Sequence, residues 1–363
     1  MRYSTLAWAG ALLAAPVIAD AQASTSAAVI PQYVSMKIGT GATAKTVTQT
    51  TIPLVAVVNI SDHFNIDVAT AFAQSDVSVN GKSASKISGP TDTQIRANWT
   101  LGNDAVVFTL GVNAPTGQYK INQQTEADAA GQIGNDFIIY PISTYGAGLS
   151  ATGGIAFAKA IGDWNVGMGV SGRRGTEFDA YKATTDTGRA LTFTPADEYR
   201  ARIGVDRYLG SGRLALGFTY STFGKDELAN TSYKTGARYI GQASFSHPVG
   251  ESEFYVSGWT LMRQKGEQYG GESPSETVIN GTVGLGLHFG GLYVEPSFEA
   301  RNWQIAGVKA GLLFNPTVRT RFSMGALTIM PTATYQIGSL YDLADGSGTD
   351  LNGWRVGLTA RLR

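Results

Sequence analysis

The sequence predicts an all-β protein: a single closed, antiparallel transmembrane β-barrel of about 16 strands, with short periplasmic turns and long extracellular loops. Three observations predict it. Period-two alternation of apolar and polar residues recurs along the whole chain, the alternating stretches are joined in turn by short links and long ones, and an export segment precedes them. About seven short turns, with both chain termini on the periplasmic side, give about 16 strands, while a misread first strand or a misread stretch at 303–316 would lower the count to about 14 or 12.

Residues 1–23, MRYSTLAWAGALLAAPVIADAQA, read as a signal peptide: Arg2 supplies the basic start, Leu6 to Ala19 the apolar stretch, and Ala21-Gln22-Ala23 the small-x-small cleavage site. Pro16 breaks the apolar run, which is too short for a membrane helix. Residues 24–363 then form one barrel domain in an outer membrane. No later run approaches the roughly 20 consecutive apolar residues that a spanning helix needs, so insertion must use strands. Charged residues make up 15% of the chain, below the roughly 25% of a soluble domain, whereas glycine (45) and tyrosine (16) are abundant. Lys+Arg (28) balances Asp+Glu (28), which offers no basic surface to nucleic acid. With no cysteine in the chain, neither disulfides nor thiolate metal sites contribute.

The first alternating stretch, Val29 to Gly39, sets Ile30, Val34, Met36 and Ile38 against Tyr33, Ser35 and Lys37. Thr46 to Ile60 is the second and ends on Ile52, Leu54, Ala56, Val58 and Ile60. After the Ser61-Asp62-His63 turn, Phe64, Ile66, Val68 and Phe72 oppose Asn65, Asp67, Ala69 and Ala71 on a third strand, and Ser78 to Thr91 reads as a polar loop. The fourth strand sets Ile95, Ala97, Trp99 and Leu101 against Gln94, Arg96, Asn98 and Thr100. Gly102-Asn103-Asp104 turns it into a fifth, with Val106, Phe108, Leu110 and Val112 outward. A long loop covers Ala114 to about Tyr145. Leu149 to Lys159 and Trp164 to Arg173 then pair around Ile161-Gly162-Asp163, followed by a long polar loop from Gly175 to Pro195.

The clearest hairpin is Glu198 to Ser221. Tyr199, Ala201, Ile203 and Val205 alternate with Arg200, Arg202, Gly204 and Asp206 on one arm, and Leu214, Leu216, Phe218 and Tyr220 face outward on the other. Gly210-Ser211-Gly212 makes the turn, because glycine reaches positive φ without a Cβ clash. Loop 223–235 leads to Ala237 to Ser246, the turn His247-Pro248-Val249-Gly250, and Glu253 to Met262. Beyond the charged loop 263–275, Val278 to Phe289 joins Leu292 to Trp303 through Gly290-Gly291. A strand from near Gly311 to Met324 turns at Gly325 into Leu327 to Ile337, and loop 339–353 precedes the last strand, Trp354 to Leu362. Trp164, Tyr208 and Phe289 beside short turns, with Trp303, Tyr335 and Trp354 nearer the loops, fit two aromatic girdles.

Lumen parity collects Arg96, Arg200, Arg202, Arg238, Arg319, Arg321 and Arg355 with Asp67, Asp206, Glu295 and Glu299. A charge on the lipid face near mid-bilayer would cost roughly 2 to 4 kcal/mol, which places these side chains inside. Two roles are open to them. A basic excess at a constriction selects anions, whereas Arg–carboxylate pairs brace the wall. In the long loop Phe137, Ile138, Ile139 and Tyr140 are apolar for exposed chain: they read either as an inward gating segment or as a strand extension above the membrane. His63 and His247 lie in turns, and His288 has no serine or carboxylate in a hydrolase relation, so no enzyme, metal site or cofactor is expected.

Three segments resemble the outer-membrane channels grouped with FadL-type hydrophobic-compound transporters, in particular the branch associated with phenol meta-pathway degradation. They are Gly89-Pro90-Thr91-Asp92-Thr93-Gln94-Ile95-Arg96, Leu110-Gly111-Val112-Asn113-Ala114-Pro115-Thr116-Gly117, and Tyr145-Gly146-Ala147-Gly148-Leu149-Ser150 running on to Ala156. The resemblance implies passive uptake of small hydrophobic or aromatic molecules. Residues 24–52 lack the Asn-Pro-Ala plug element of the fatty-acid transporters of this group. A general diffusion porin, or a structural or adhesive barrel with a filled lumen, fits the same strand pattern. The expected partners are outer-membrane lipid, the barrel-assembly machinery and a small permeant.

Overall fold

The computed structural model describes residues 25–102, 105–182 and 191–362. The signal segment 1–23 and the turn residues Asn103-Asp104 lie outside the described residues. Sixteen antiparallel strands close into one barrel. β1 has two halves, Ser26–Val29 and Gln32–Ile38; β2 is Lys45–Ser61, β3 Phe64–Val79, and β4 again has two halves, Lys82–Pro90 and Thr93–Leu101. β5 (Val106–Ala114), β6 (Ser150–Ile161), β7 (Trp164–Gly175), β8 (Glu198–Leu209) and β9 (Gly212–Phe223) follow. β10 is Arg238–Val249, β11 Ser252–Arg263, β12 Glu276–Phe289, β13 Leu292–Ile305, β14 Val308–Met324, β15 Leu327–Tyr341 and β16 Gly348–Leu362. Closure is made by β16 on β1, with Ala27 opposite Leu362 and Val34 opposite Arg355. No edge is then left for lipid to meet.

Outward positions carry the apolar residues that the alternation placed there. Leu110, Val170, Ile60, Ile203, Phe298 and Val318 are all exposed, and together with their neighbours they form a belt that water would not tolerate but a bilayer would. Two to four residues make each of the seven connections at one end, 62–63, 102–105, 162–163, 210–211, 250–251, 290–291 and 325–326, and both ends of the described chain sit at that end. Long connections occupy the other end, among them 115–149, 224–237 and 264–275.

Four expectations are corrected, one of them the loop 339–353, of which 339–341 and 348–353 belong to β15 and β16. Residues 78–91 are not a polar loop: β3 and β4 continue as a paired ribbon and turn at Asn80-Gly81, both with positive φ (52° and 72°), the twist that suits a two-residue hairpin. The strand expected from near Gly311 starts at Val308 and meets β13 through Ala306-Gly307 (φ 51° and 81°). The first strand starts earlier than Val29 and breaks at Ile30-Pro31, since Pro31 has no N–H to give the ladder.

β2, β3 and β14, at 17, 16 and 17 residues, are longer than the roughly 9 to 11 a tilted crossing needs, so this side of the wall continues past the bilayer at the long-loop end. Its inner face carries an apolar patch. Val34 and Met36 on β1, Val47 on β2, Ala73 and Val77 on β3, Leu313 on β14 and Leu351 on β16 are buried against residues 121–145 of the long loop, which holds the helix α1, Ala127–Ile133. In the second half of β1, Val34 and Met36 therefore point inward and Tyr33 outward, the reverse of the usual polarity, because the inner neighbour here is a packed loop instead of water.

Candidate functional site

Residues 115–149, between β5 and β6, fold into the barrel mouth, and the stem of this loop is gathered by one carboxylate. Asp92 sits at the break in β4. Its Oδ1 accepts the Gly117 N–H (2.9 Å), its Oδ2 accepts the Ala147 N–H (2.7 Å) and Asn113 Nδ2 (2.7 Å), and its own N–H donates to the Tyr145 carbonyl (3.1 Å). A Cβ at Gly117 would stand 2.1 Å from the Tyr145 carbonyl oxygen, so the close approach of the two stem strands requires glycine. Further along, Gln49 on β2 pairs with both backbone groups of Ile142, donating to its carbonyl (2.7 Å) and accepting from its N–H (3.0 Å). Ser85 Oγ accepts the Ala129 N–H of α1 (3.0 Å). The Tyr145 hydroxyl donates to the Ile87 carbonyl (3.1 Å) and lies 3.0 Å from Ser75 Oγ; burial pushes this phenol up to about 12.

The tip of the loop is Phe137-Ile138-Ile139-Tyr140, and it crosses to the far wall. Asn135 Oδ1 accepts the N–H groups of Phe137 (2.8 Å) and Ile138 (3.1 Å), and Ile139 has a left-handed φ of 57°, so the chain turns tightly here. Phe137 stacks on Trp303 of β13 (centroids 5.4 Å, planes 16° apart) above Gly311, where a Cβ would come within 2.7 Å of the ring. Arg301 donates to the carbonyls of Phe137 and Ile138, and Arg355 to that of Ile139 (2.5 Å). Tyr140 is buried near Arg355, and burial raises its phenol well above the usual range. Phe137 to Tyr140 are thus not a strand extension above the membrane. Trp303, expected in an aromatic girdle, faces inward, because Phe137 supplies it with an inner partner; Trp354 and Tyr335 do share the outer surface, with rings 4.5 Å apart.

All nine lumen candidates fall on the face opposite the exposed apolar residues, and most of them are braced. Arg96 pairs with Asp67 (3.5 Å), Asp206 with Arg213 (3.4 Å), Arg319 with Glu295 (3.6 Å), and Arg200 with Glu198 (2.5 Å). Glu295 also accepts from Tyr255 (2.9 Å), and Glu299 holds both Arg301 and Asn315. Arg202, Arg238 and Arg321 make no ion pair among the described residues; Arg321 lies over the Tyr293 ring at 4.5 Å, and Arg238 over Phe223 at 5.8 Å. Near the short-turn end Arg96, Arg213 and Arg319 keep roughly two-fifths of their side-chain surface exposed while pointing inward, so the lumen is open there.

Sequence reasoning missed Arg301, Arg263, Glu276, Arg173 and Asp92. Arg301 has the parity of Glu295 and Glu299 and was available from the same count. Arg263 and Glu276 form a buried ion pair at the ends of β11 and β12, which run farther than the alternation suggests: Arg263 falls in the expected loop 263–275, and Glu276 precedes the strand expected from Val278. Asp92 carried one signal: it lies in a segment, 89–96, singled out together with 110–117 and 145–156, and the structure joins all three through this side chain.

No family model matches the chain, and no curated protein matches it. Similar solved structures are outer-membrane proteins. An outer-membrane channel of Pseudomonas putida F1 is 13% identical, with 93% of this chain and 94% of that one covered and a TM-score of 0.39. OprB of Pseudomonas putida is 11% identical over 93% and 94% of the two chains (TM-score 0.46), and OmpT of Vibrio cholerae 8% identical over 93% and 97% (TM-score 0.45).

Proposed function

We propose that the protein is an outer-membrane channel that admits small molecules passively, without catalysis, through a lumen narrowed by residues 115–149. The observation that carries this reading is the loop's position: it leaves the wall at Asp92, crosses the mouth and is held on the opposite side by Arg301 and Arg355. A barrel whose role was purely structural would have no need of an anchored constriction above an open, charged lower lumen. Export by residues 1–23, insertion by the barrel-assembly machinery and an orientation with the short turns in the periplasm belong to the same reading.

The permeants are hydrophobic or aromatic compounds. Support comes from the apolar inner wall around Phe137, Ile138 and Tyr140, and from the resemblance carried by 89–96, 110–117 and 145–156. Below the loop, Arg202 and Arg321 tune the pathway, while Arg96, Arg200, Asp206, Glu295 and Arg319 brace it in pairs. Arg238 is a pathway residue at the outer mouth, and Glu299 fixes the anchor Arg301. Single-channel recording of the mature protein in planar bilayers, with and without small aromatic acids, tests the proposal. Small, steady conductance reduced by the aromatic solute is expected. Large unselective conductance indifferent to it would indicate a general diffusion porin, and silence would indicate a filled structural barrel.

A further inference from the structure

Beside the inward loop, at the long-loop end, the outer ends of β6 to β11 and the connections above them surround a cavity of about 110 Å³ that opens to solvent. Its two sides differ in chemistry. Phe178 and Phe193, which meet edge to face at 5.5 Å, form an aromatic wall with Phe223 and Tyr233. Arg173, Arg238 and Arg263 line the same space.

These arginines are not equivalent. Arg263 is committed to Glu276, and Arg173 shares Glu198 with Arg200 (3.6 Å and 2.5 Å). Arg238 is 6% exposed, forms no ion pair among the described residues, and its Nε meets no hydrogen-bond partner. Asp136 and Glu198 act favourably on its charge without forming an ion pair with it, and Arg263 and Arg200 act against it. The other acids of the cavity are occupied: Asp226 accepts the Ala196 N–H (2.9 Å) and Thr235 Oγ1 (3.2 Å), and Glu267 accepts the Lys234 N–H (2.9 Å). Burial also raises the Asp226 carboxyl, which weakens its claim as a counter-charge. A guanidinium held out of water with no hydrogen-bonded counter-charge is costly, and a planar carboxylate is the group that matches its fork of donors.

We propose that this cavity is a binding subsite for small aromatic carboxylates, with the carboxylate on Arg238 and the ring among Phe178, Phe193 and Phe223. The inference rests on the channel reading above and names the solute class and its first docking point. Binding there raises the local concentration of an aromatic anion at the mouth, next to the passage that the 115–149 loop narrows.

The test uses the whole mature barrel in detergent, with benzoate, benzyl alcohol and acetate as probes titrated by calorimetry. Benzoate should bind at least about tenfold tighter than either partial analogue, because each lacks one of the two recognised groups. Arg238→Gln should lower benzoate affinity by about tenfold or more and leave benzyl alcohol unchanged, and Arg238→Lys should restore part of the loss. Phe193→Leu should bring benzoate closer to acetate. Heat-modifiable migration on gels checks that each variant is a closed barrel, and should Arg238→Gln fail this check, Arg238→Lys and Phe193→Leu carry the test. Equal benzoate affinity in wild type and Arg238→Gln, or equal binding of acetate and benzoate by wild type, would overturn the subsite. Conductance of the same preparation separates the two ideas: current without benzoate binding sinks the subsite alone, whereas benzoate binding without any current or flux sinks the channel reading.

Discussion

Removing the Asp92 carboxylate should unlatch the constriction loop while leaving the barrel closed. Asp92 receives three hydrogen bonds, from Gly117, Ala147 and Asn113, and it is 8% exposed. A hydrogen bond to a charged group contributes about 1.5 to 3 kcal/mol, and in Asp92→Ala two backbone N–H groups would also lose their acceptor, so a loss on the order of 4 kcal/mol from the closed loop is a conservative figure. At about 1.4 kcal/mol per factor of ten, the open population should rise by roughly a factor of 10³. Hydrogen exchange measured by mass spectrometry reads this directly: peptides spanning 117–147 should exchange far faster, while peptides from β8 to β12 should be unchanged. Asp92→Asn should show a smaller effect, since its amide oxygen can keep the Ala147 and Asn113 donors while NH₂ faces the Gly117 N–H. Unchanged protection across 117–147 in a closed Asp92→Ala barrel would refute the assignment of Asp92 as the latch.

Other perturbations follow from the same contacts. Arg301→Met keeps an apolar stem beside Trp259 but removes the donors to the Phe137 and Ile138 carbonyls; single-channel recordings should show larger or noisier conductance, with the loop tip weakened by about 2 kcal/mol. Enlarging Gly311 to valine should displace the Phe137 ring and lower Trp303 burial, seen as a red-shifted tryptophan emission. The Tyr145 phenol is raised by the fold, so its contribution is complete below pH 10 and is lost as pH climbs from 10 towards 12; loop exchange should accelerate in that window, and less so in Tyr145→Phe. Neutralising Arg202 and Arg321 should shift reversal potentials away from anions, whereas neutralising the braced Arg200 and Arg319 should chiefly lower thermal stability. If the four replaced together leave the reversal potential unchanged, the lumen arginines do not select.

Much of the barrel was legible because its rule is local. Leu110, Ile203 and Val318 must meet lipid and Arg202 or Arg319 must not, so parity alone orients them. The wall around β1 broke that rule for a non-local reason. Val34 and Met36 face inward because a loop some hundred positions later packs on them, and no window of neighbouring residues contains that partner. Trp303 failed as a girdle residue through the same cause. The ribbon at 78–91 was hidden by its polar, serine-rich composition, although Asn80-Gly81 is a strong hairpin pair. For the site, the apolar run 137–140 marked the segment that turns inward, but the residues that hold it, Asp92, Arg301 and Arg355, are joined to it only by the closure of the barrel.

The central claim is passive passage through a narrowed lumen, and its most direct test is solute entry into proteoliposomes carrying the mature protein, measured against solute size. The account predicts entry of small solutes that falls steeply with size and rises for larger ones in Asp92→Ala. No entry at any size, in wild type and in the unlatched variant alike, would contradict it.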